Sequence, residues 1–280
     1  MNIHDLLQIP PWEWPDDAGK RILKCLTDRH ADLSERLDAA ELAAELVAMD
    51  DELARAVLVI AASPHEPEGL RSSAVLSLGP VLETADAELT DDDFDEPEAV
   101  PIRLEMFRFL QDSLQKLYLD PSIPRELKRR ILETAVRAPQ DWQVSEIKAA
   151  YASGEKDWIV TAVFAMRWVR GFDESILEAM QSADLEIHGE AVKAAGGQEL
   201  DAAWSHVAGL LQDAETPKPL LMAAIEAAVN IRPQEAIEIL APLADSPDEE
   251  ISETVSDALS MANALTADPD EDEHCGDWVN

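Results

Sequence analysis

The amino-acid sequence predicts an all-α fold, a right-handed α-solenoid of about six helical hairpins with capping elements. A short apolar pattern with a small residue at its centre recurs about every 31 residues, which is typical of stacked helical hairpins. No stretch alternates apolar and polar residues in the manner of a strand, so no sheet is predicted. The central residues of the pattern are Ala40, Ala74, Ile131, Ala162, Ala191, Ala224 and Val255.

Each copy of the pattern predicts one helix, which we call a first helix, followed by a second and more variable helix. Leu, Ile and Val at i, i+3, i+4 and i+7 fill the seam, and the small central residue lets neighbouring helices approach closely. Pro124, Pro217 and Pro233 lie near predicted helix starts, where the missing N–H costs little. First helices are predicted within 72–79, 129–136, 160–167, 188–196, 222–229 and 253–260.

This pattern resembles the HEAT-repeat family, in particular its short bacterial form known from phycobilin-lyase-like proteins. The resemblance covers roughly residues 34–265 and implies HEAT-like hairpins. The family carries an Asp before the first helix, near which Asp184 and Asp245 lie, and an Arg inside it, near which Arg71 and Arg129 lie. The repeats centred on Ala191, Ala224 and Val255 lack that Arg.

Composition restricts the class of protein. Hydrophobic residues make up 46% of the 280, enough for a core, which excludes bulk disorder. No apolar run approaches the roughly 20 residues that cross a bilayer, and the first residues do not resemble a secretory signal. The two cysteines, Cys25 and Cys275, are distant in sequence and form no CxxC spacing. We therefore expect a cytoplasmic protein without a disulfide.

The formal net charge of −36 is extreme. Such a surface repels nucleic-acid phosphates, so direct nucleic-acid binding is not expected. Three interpretations stay open: acidity serves solubility or salt adaptation, it attracts basic partners, or it imitates the phosphates of a nucleic acid.

The charge is uneven, because residues 101–170 carry 12 basic and 9 acidic side chains. Aromatic residues are also concentrated near this region, and Arg with aromatic side chains is typical of interaction hot spots. The predicted partner-binding residues are Trp142, Trp158, Arg167 and Arg170, with 167 and 170 sharing one helix face. Phe164 and Trp168 are predicted to lie in the core between repeats.

Three segments flank or interrupt the repeats. Residues 1–33 predict a proline-aromatic arm and a helix at about 17–29 that cap the solenoid. Residues 34–265 form the repeats, with an acidic insert at 85–100 that predicts a mobile loop, and residues 266–280 predict a disordered acidic tail. The tail lacks the Gly and Glu of an EF-hand loop, so no metal site is predicted there.

No phosphate-binding loop, nucleophile elbow or zinc spacing is present. A HEAT-repeat enzyme family binds two irons through several His-Glu pairs, and this chain has one, His65-Glu66. We therefore expect no catalytic, cofactor or metal residues, and a noncatalytic protein-interaction scaffold with a protein partner, for which a basic protein is an open alternative. The competing hypotheses are an acidic nucleic-acid mimic and an accessory lyase or enzyme. No membrane partner is expected, and the oligomeric state is left open.

Overall fold

The computed structural model describes residues 3–89 and 100–266, which contain sixteen α-helices and, within those ranges, no strand. The all-α prediction is confirmed. Short 3₁₀ turns lie at Pro11–Glu13, Asp201–Ala203 and Ala241–Leu243. The α-helices are α1 Ile3–Leu6, α2 Ala18–Thr27, α3 Leu33–Leu42, α4 Asp51–Ala62, α5 Glu68–Leu76, α6 Gly79–Leu89, α7 Leu104–Leu119, α8 Arg125–Ala135, α9 Asp141–Tyr151, α10 Lys156–Ala165, α11 Asp173–Ala179, α12 Leu185–Gly197, α13 Trp204–Gln212, α14 Lys218–Ile231, α15 Pro233–Leu240 and α16 Glu249–Thr266.

The helices group into two compact units, residues 1–150 and 151–280. In the first unit the first helices α3, α5 and α8 pack each on the next, and α2, α4 and α7 form a second layer. The short helix α1 packs on α2 and α3. In the second unit α10, α12, α14 and α16 form the layer of first helices, with α11, α13 and α15 packed against them. Within each unit the helices therefore stack as hairpins.

The centres of the sequence pattern lie where the prediction requires. Each of the seven lies on a first helix and is fully buried. Small residues at and near these centres bring two helix backbones close together. Gly196, on the same helix as the centre Ala191, shows how close. A Cβ atom added to Gly196 in α12 would stand 2.8 Å from the Cα of Ala227 in α14. The first helices therefore pack so closely that there is no room for an added methyl group at this point.

Every loop that leads into a first helix is closed by the same short turn. A Ser or Asp side-chain oxygen accepts a hydrogen bond from the backbone N–H two residues later, at distances from 2.7 to 3.4 Å. Such turns substitute a side chain for a backbone partner and set the entry of the following helix. Within the described chain the accepting residues are Asp28, Ser63, Asp120, Ser153, Ser182, Asp213 and Ser246.

Two buried arginines tie hairpins together in the first unit. The Nε–H of Arg36 donates to the carbonyl of Leu26 at 3.0 Å, and that of Arg71 donates to the carbonyl of Ala61 at 2.9 Å. Each carbonyl belongs to the last turns of the preceding helix, where no intrahelical donor is available. Arg36 and Arg71 therefore each join a first helix to the end of the helix before it.

Lysines link successive first helices in the second unit. Lys156 at the start of α10 pairs with Asp184 at 2.8 Å, and Lys218 at the start of α14 pairs with Asp248 at 2.7 Å. Both carboxylates also accept backbone N–H groups at the start of the next first helix. Because these pairs are substantially exposed, each fixes the relative position of two first helices more than it adds to stability.

Several local predictions are corrected. Arg129 bonds within its own helix, to Glu126 and Glu133. The acid that precedes α16 and accepts a backbone N–H of that helix is Asp248, not Asp245. The insert does not begin as a loop, because α6 continues to Leu89. The rest of the insert, at 90–99, and the tail at 267–280 lie outside the described residues. The predicted domain boundaries stay predictions.

In the part of the chain that the structure describes, no helix combines the length and apolar character needed to cross a bilayer.

Substituting Gly196 by Ala should lower the free energy of unfolding by about 1–3 kcal/mol, because the new methyl group meets the Ala227 backbone. Urea unfolding followed by circular dichroism measures the change. The matched control is Gly189→Ala on the same helix, where no atom lies within 4 Å of an added Cβ. That variant should raise stability by roughly 0.5–1 kcal/mol through helix propensity. Equal effects of the two substitutions would contradict close packing between α12 and α14.

Candidate functional site

A cleft of about 510 Å³ opens in the first unit between α2 and α4. The turns closed by Asp28 and Ser63 set the positions of the loops at its end. Leu23, Leu26 and Ile60 are among the apolar residues that line it. The other lining residues are Thr27, Arg29, Arg36, Glu52, Arg55, Ala56, Val59, Ser63 and Glu66.

One side of the cleft is built on an ion pair that is almost completely buried. Arg36 Nη1 lies 2.7 Å from Glu66 Oε2, and their side chains are 8% and 11% exposed. The hydrogen bond from Arg36 holds the pKa of the Glu66 carboxyl below its usual range. Since Arg36 also donates to the carbonyl of Leu26, its guanidinium is held between two partners. This pair therefore supplies a rigid wall with no net charge.

Two further arginines bring positive charge to the same cleft. Arg29 and Arg55 are both exposed, and in the described part of the chain neither lies within ion-pair distance of a carboxylate. The charge of Arg29 nevertheless acts on Glu66 and contributes to its lowered pKa. The guanidinium carbon of Arg55 lies 4.6 Å from the centre of the Phe109 ring, which orients it through a cation–π contact. The Glu52 carboxylate is the unpaired acid of the lining. The cleft therefore presents two arginines against one free carboxylate.

A comparable cleft in the second unit lacks this positive charge. It measures about 390 Å³ and lies beside α13 and α15, at the loops closed by Asp213 and Ser246. Leu211, Leu221 and Ile239 contribute apolar surface there, and no Lys or Arg lines it. The same repeat geometry thus forms a basic cleft in one unit and a cleft without basic residues in the other.

The four predicted partner-binding residues are divided between the two units. Trp142 belongs to the first unit, at the start of α9. Its ring lies 5.2 Å from that of Tyr118, and its Nε1–H donates to Gln140. Trp158 lies on α10 in the second unit and is half-buried.

Arg167 and Arg170 follow α10 and do not share a helix face, which corrects the sequence prediction. The helix ends at Ala165, because the chain turns through 166–171 and Gly171 adopts a φ of +92°. Both arginines are exposed, and the guanidinium of Arg167 lies 5.2 Å from the Trp168 ring. Trp168 in turn packs on Phe164 at 4.6 Å. The side-chain amide of Gln198, at the end of α12, donates to the Arg167 carbonyl and so joins the turn after α10 to the turn after α12.

Sequence reasoning missed Arg29, Arg36 and Arg55 as functional residues. One signal was present, because Arg36 and Arg71 occupy the same place in successive hairpins, four residues after Asp32 and Pro67. The side chain of Glu66, from the single His-Glu pair, bonds Arg36. Among the described residues no group of three or more His, Cys, Asp or Glu is arranged to hold a metal ion.

No protein-family model and no curated protein matches this chain. Solved structures do match. Human deoxyhypusine hydroxylase in complex with glycerol is 15% identical, covers 89% of this chain and 97% of its own, and gives a TM-score of 0.39. A crystal structure of an engineered protein is 19% identical, covers 89% of this chain and 98% of its own, and gives 0.33.

Two predictions are corrected by this comparison. The repeats led us to expect a noncatalytic scaffold and no enzyme, yet a solved structure that covers most of this chain is that of a hydroxylase. Function depends on the site and not on the fold that supports it. The hydroxylase's own chemistry is not carried over, since a likeness this weak supports the comparison of folds at most.

Replacing Glu66 by Gln should lower the free energy of unfolding by about 3 kcal/mol at neutral pH, because Arg36 loses its buried counter-charge. The pKa of Glu66 is depressed in the folded protein. The Arg36–Glu66 pair therefore contributes its full stabilisation to the folded state above pH 4.5, the ordinary pKa of this carboxyl group. That stabilisation is lost as the pH falls through the folded pKa. Urea unfolding between pH 7 and about pH 3 should show the wild-type advantage shrinking below pH 4.5. A constant difference over this range would contradict the assignment.

Proposed function

We propose that this protein binds a small organic anion, with a carboxylate or phosphate group on an apolar body, in the cleft between α2 and α4. The observation that supports this is the pairing of Arg29 and Arg55 with an apolar floor. Arg binds carboxylate and phosphate through planar, two-pronged hydrogen bonding. The apolar lining suits the rest of such a molecule.

The two arginines of this cleft contrast with the acidic character of the whole chain. Acidic side chains outnumber basic ones by 58 to 22. The described arginines that form an ion pair with a carboxylate include Arg21, Arg36, Arg103, Arg129, Arg130, Arg137 and Arg232. Arg29 and Arg55 have no such ion pair in the described residues, although both line one cleft. The volume of about 510 Å³ falls within the range of roughly 300–1,000 Å³ that small-molecule sites occupy. The cleft beside α13 and α15 lacks basic residues, so it should not share this preference.

We also propose two finer assignments for the chain as a whole. The first is membership of the short bacterial form of the HEAT repeats, supported by the buried Arg71 and by Asp184 at the start of α12. The second is a cytoplasmic location, supported by two cysteines that show no disulfide or metal spacing.

The test compares octanoate with 1-octanol, which share an apolar chain and differ in charge. Octanoate should bind at one site, and the Arg29→Gln/Arg55→Gln double variant should weaken it by about tenfold or more, because two charge-assisted hydrogen bonds are lost. Isothermal titration calorimetry measures both ligands. The control is Arg108→Gln/Lys116→Gln, which removes two exposed cations from α7. Equal affinity for octanoate and octanol, or equal loss in the control, would contradict the proposal.

A protein partner for the second unit is a separate proposal. Arg170 is exposed and forms no ion pair among the described residues, and Trp168 holds the neighbouring Arg167 in place. These two arginines therefore offer charge to an acidic side chain on a partner. The roles of Trp142 and Trp158 in partner contact stay predictions.

Changing both Arg167 and Arg170 to Glu should reduce the capture of partners from the native cell extract, with helicity unchanged. Affinity capture with quantitative mass spectrometry measures this. The matched control is Arg108→Glu/Lys116→Glu, which changes the charge equally at exposed positions of the first unit. Unaltered capture, or a collapse in thermal stability of the Arg167/Arg170 variant, would count against a role in partner binding.

A further inference from the structure

Two histidine rings face one another in the second unit, far in the sequence from the arginine cleft. His188 lies on α12 and His206 on α13. Their Nε2 atoms are 2.7 Å apart, and their ring centres are 4.9 Å apart. Both rings are half-buried. The two nitrogens therefore converge on one point beside solvent.

His188 occupies a place that carries a different residue in other hairpins. His188 lies four residues after Asp184, and Arg36 lies four residues after Asp32. In both cases the backbone N–H of the later residue donates to the carbonyl of the earlier one. Arg36 turns to the preceding helix and bonds its carbonyl, whereas His188 turns to His206. This place holds no fixed residue among the described hairpins; the other occupants are Arg71, Lys128, Ile159, Leu221 and Ser252.

The protonation of the pair leaves room for a cation. A neutral imidazole has one donor and one acceptor nitrogen, so at most one proton can lie between the two Nε2 atoms. The amide Nε2 of Gln181 lies 3.5 Å from His206 Nδ1 and donates to it. His206 then carries its proton on Nε2 and donates it to His188, whose Nε2 presents a lone pair to the space between the rings.

We propose that His188 and His206 bind a Zn²⁺ ion between their Nε2 atoms, in the place that a shared proton otherwise takes. Imidazole nitrogen is a preferred zinc ligand, at about 2.0–2.1 Å. Tetrahedral geometry then needs the two nitrogens about 3.3 Å apart. Small ring rotations widen the present 2.7 Å to that distance. No third His, Cys, Asp or Glu joins the pair within the described chain, so water completes the coordination.

Calorimetric titration with ZnCl₂, in excess Mg²⁺ to occupy the many surface carboxylates, tests the site. We expect one Zn²⁺ per chain. His188→Gln and His206→Gln should each weaken it by more than the roughly 10- to 100-fold that loss of an outer hydrogen-bond partner costs. His206→Cys should retain binding, because a thiolate is also a zinc ligand.

The control is His65→Gln, an exposed histidine of the first unit. Its zinc affinity should equal that of the wild type, and circular dichroism verifies that every variant is folded. Three results would overturn the site: no Zn²⁺ binding above the Mg²⁺-competed background, stoichiometric binding that persists in both Gln variants, or loss in His206→Cys equal to that in His206→Gln. None of these outcomes bears on octanoate binding, which tests the other unit.

Discussion

The close approach of successive first helices is the packing contact on which each unit depends. A single apolar residue at the centre of each helix is fully buried, from Ala40 to Val255. At other small residues of the same helices the backbones come within van der Waals contact, as Gly196 and Ala227 show. Much of the apolar content is small, and aromatics are only 5% of the chain. Stability therefore comes from many short contacts between helices and not from a few large side chains.

Polar groups at the hairpin ends set how each helix enters that packing. The recurring Ser and Asp turns pair backbone N–H groups that would otherwise lack partners, and Arg36 and Arg71 pair carbonyls at helix ends. These hydrogen bonds are local, so residues elsewhere on the surface can vary without breaking them. His188 shows the result, because it occupies in its hairpin the place of Arg36 and contacts His206 instead of a helix-end carbonyl.

Charge distinguishes clefts that the repeat makes alike. The clefts beside α2 and α4 and beside α13 and α15 arise from the same loop geometry, yet Arg29, Arg36 and Arg55 line only the first. Within a chain of net charge −36, such a local excess of arginine is a selective feature. The fold alone does not decide what a cleft does, because function depends on the residues of the site.

The sequence by itself determined the helical class, the repeat length and the buried centre of each first helix, because these follow from a periodicity that a helix imposes within a few residues. It did not locate the end of α10, where apolar residues continue through Met166 and Val169 while the chain turns. Only the tertiary structure brought Arg29 to the same cleft as Arg55, and His188 to His206. Those residues are 26 and 18 positions apart. Their proximity depends on how one helix stacks on another, and no local pattern encodes that geometry.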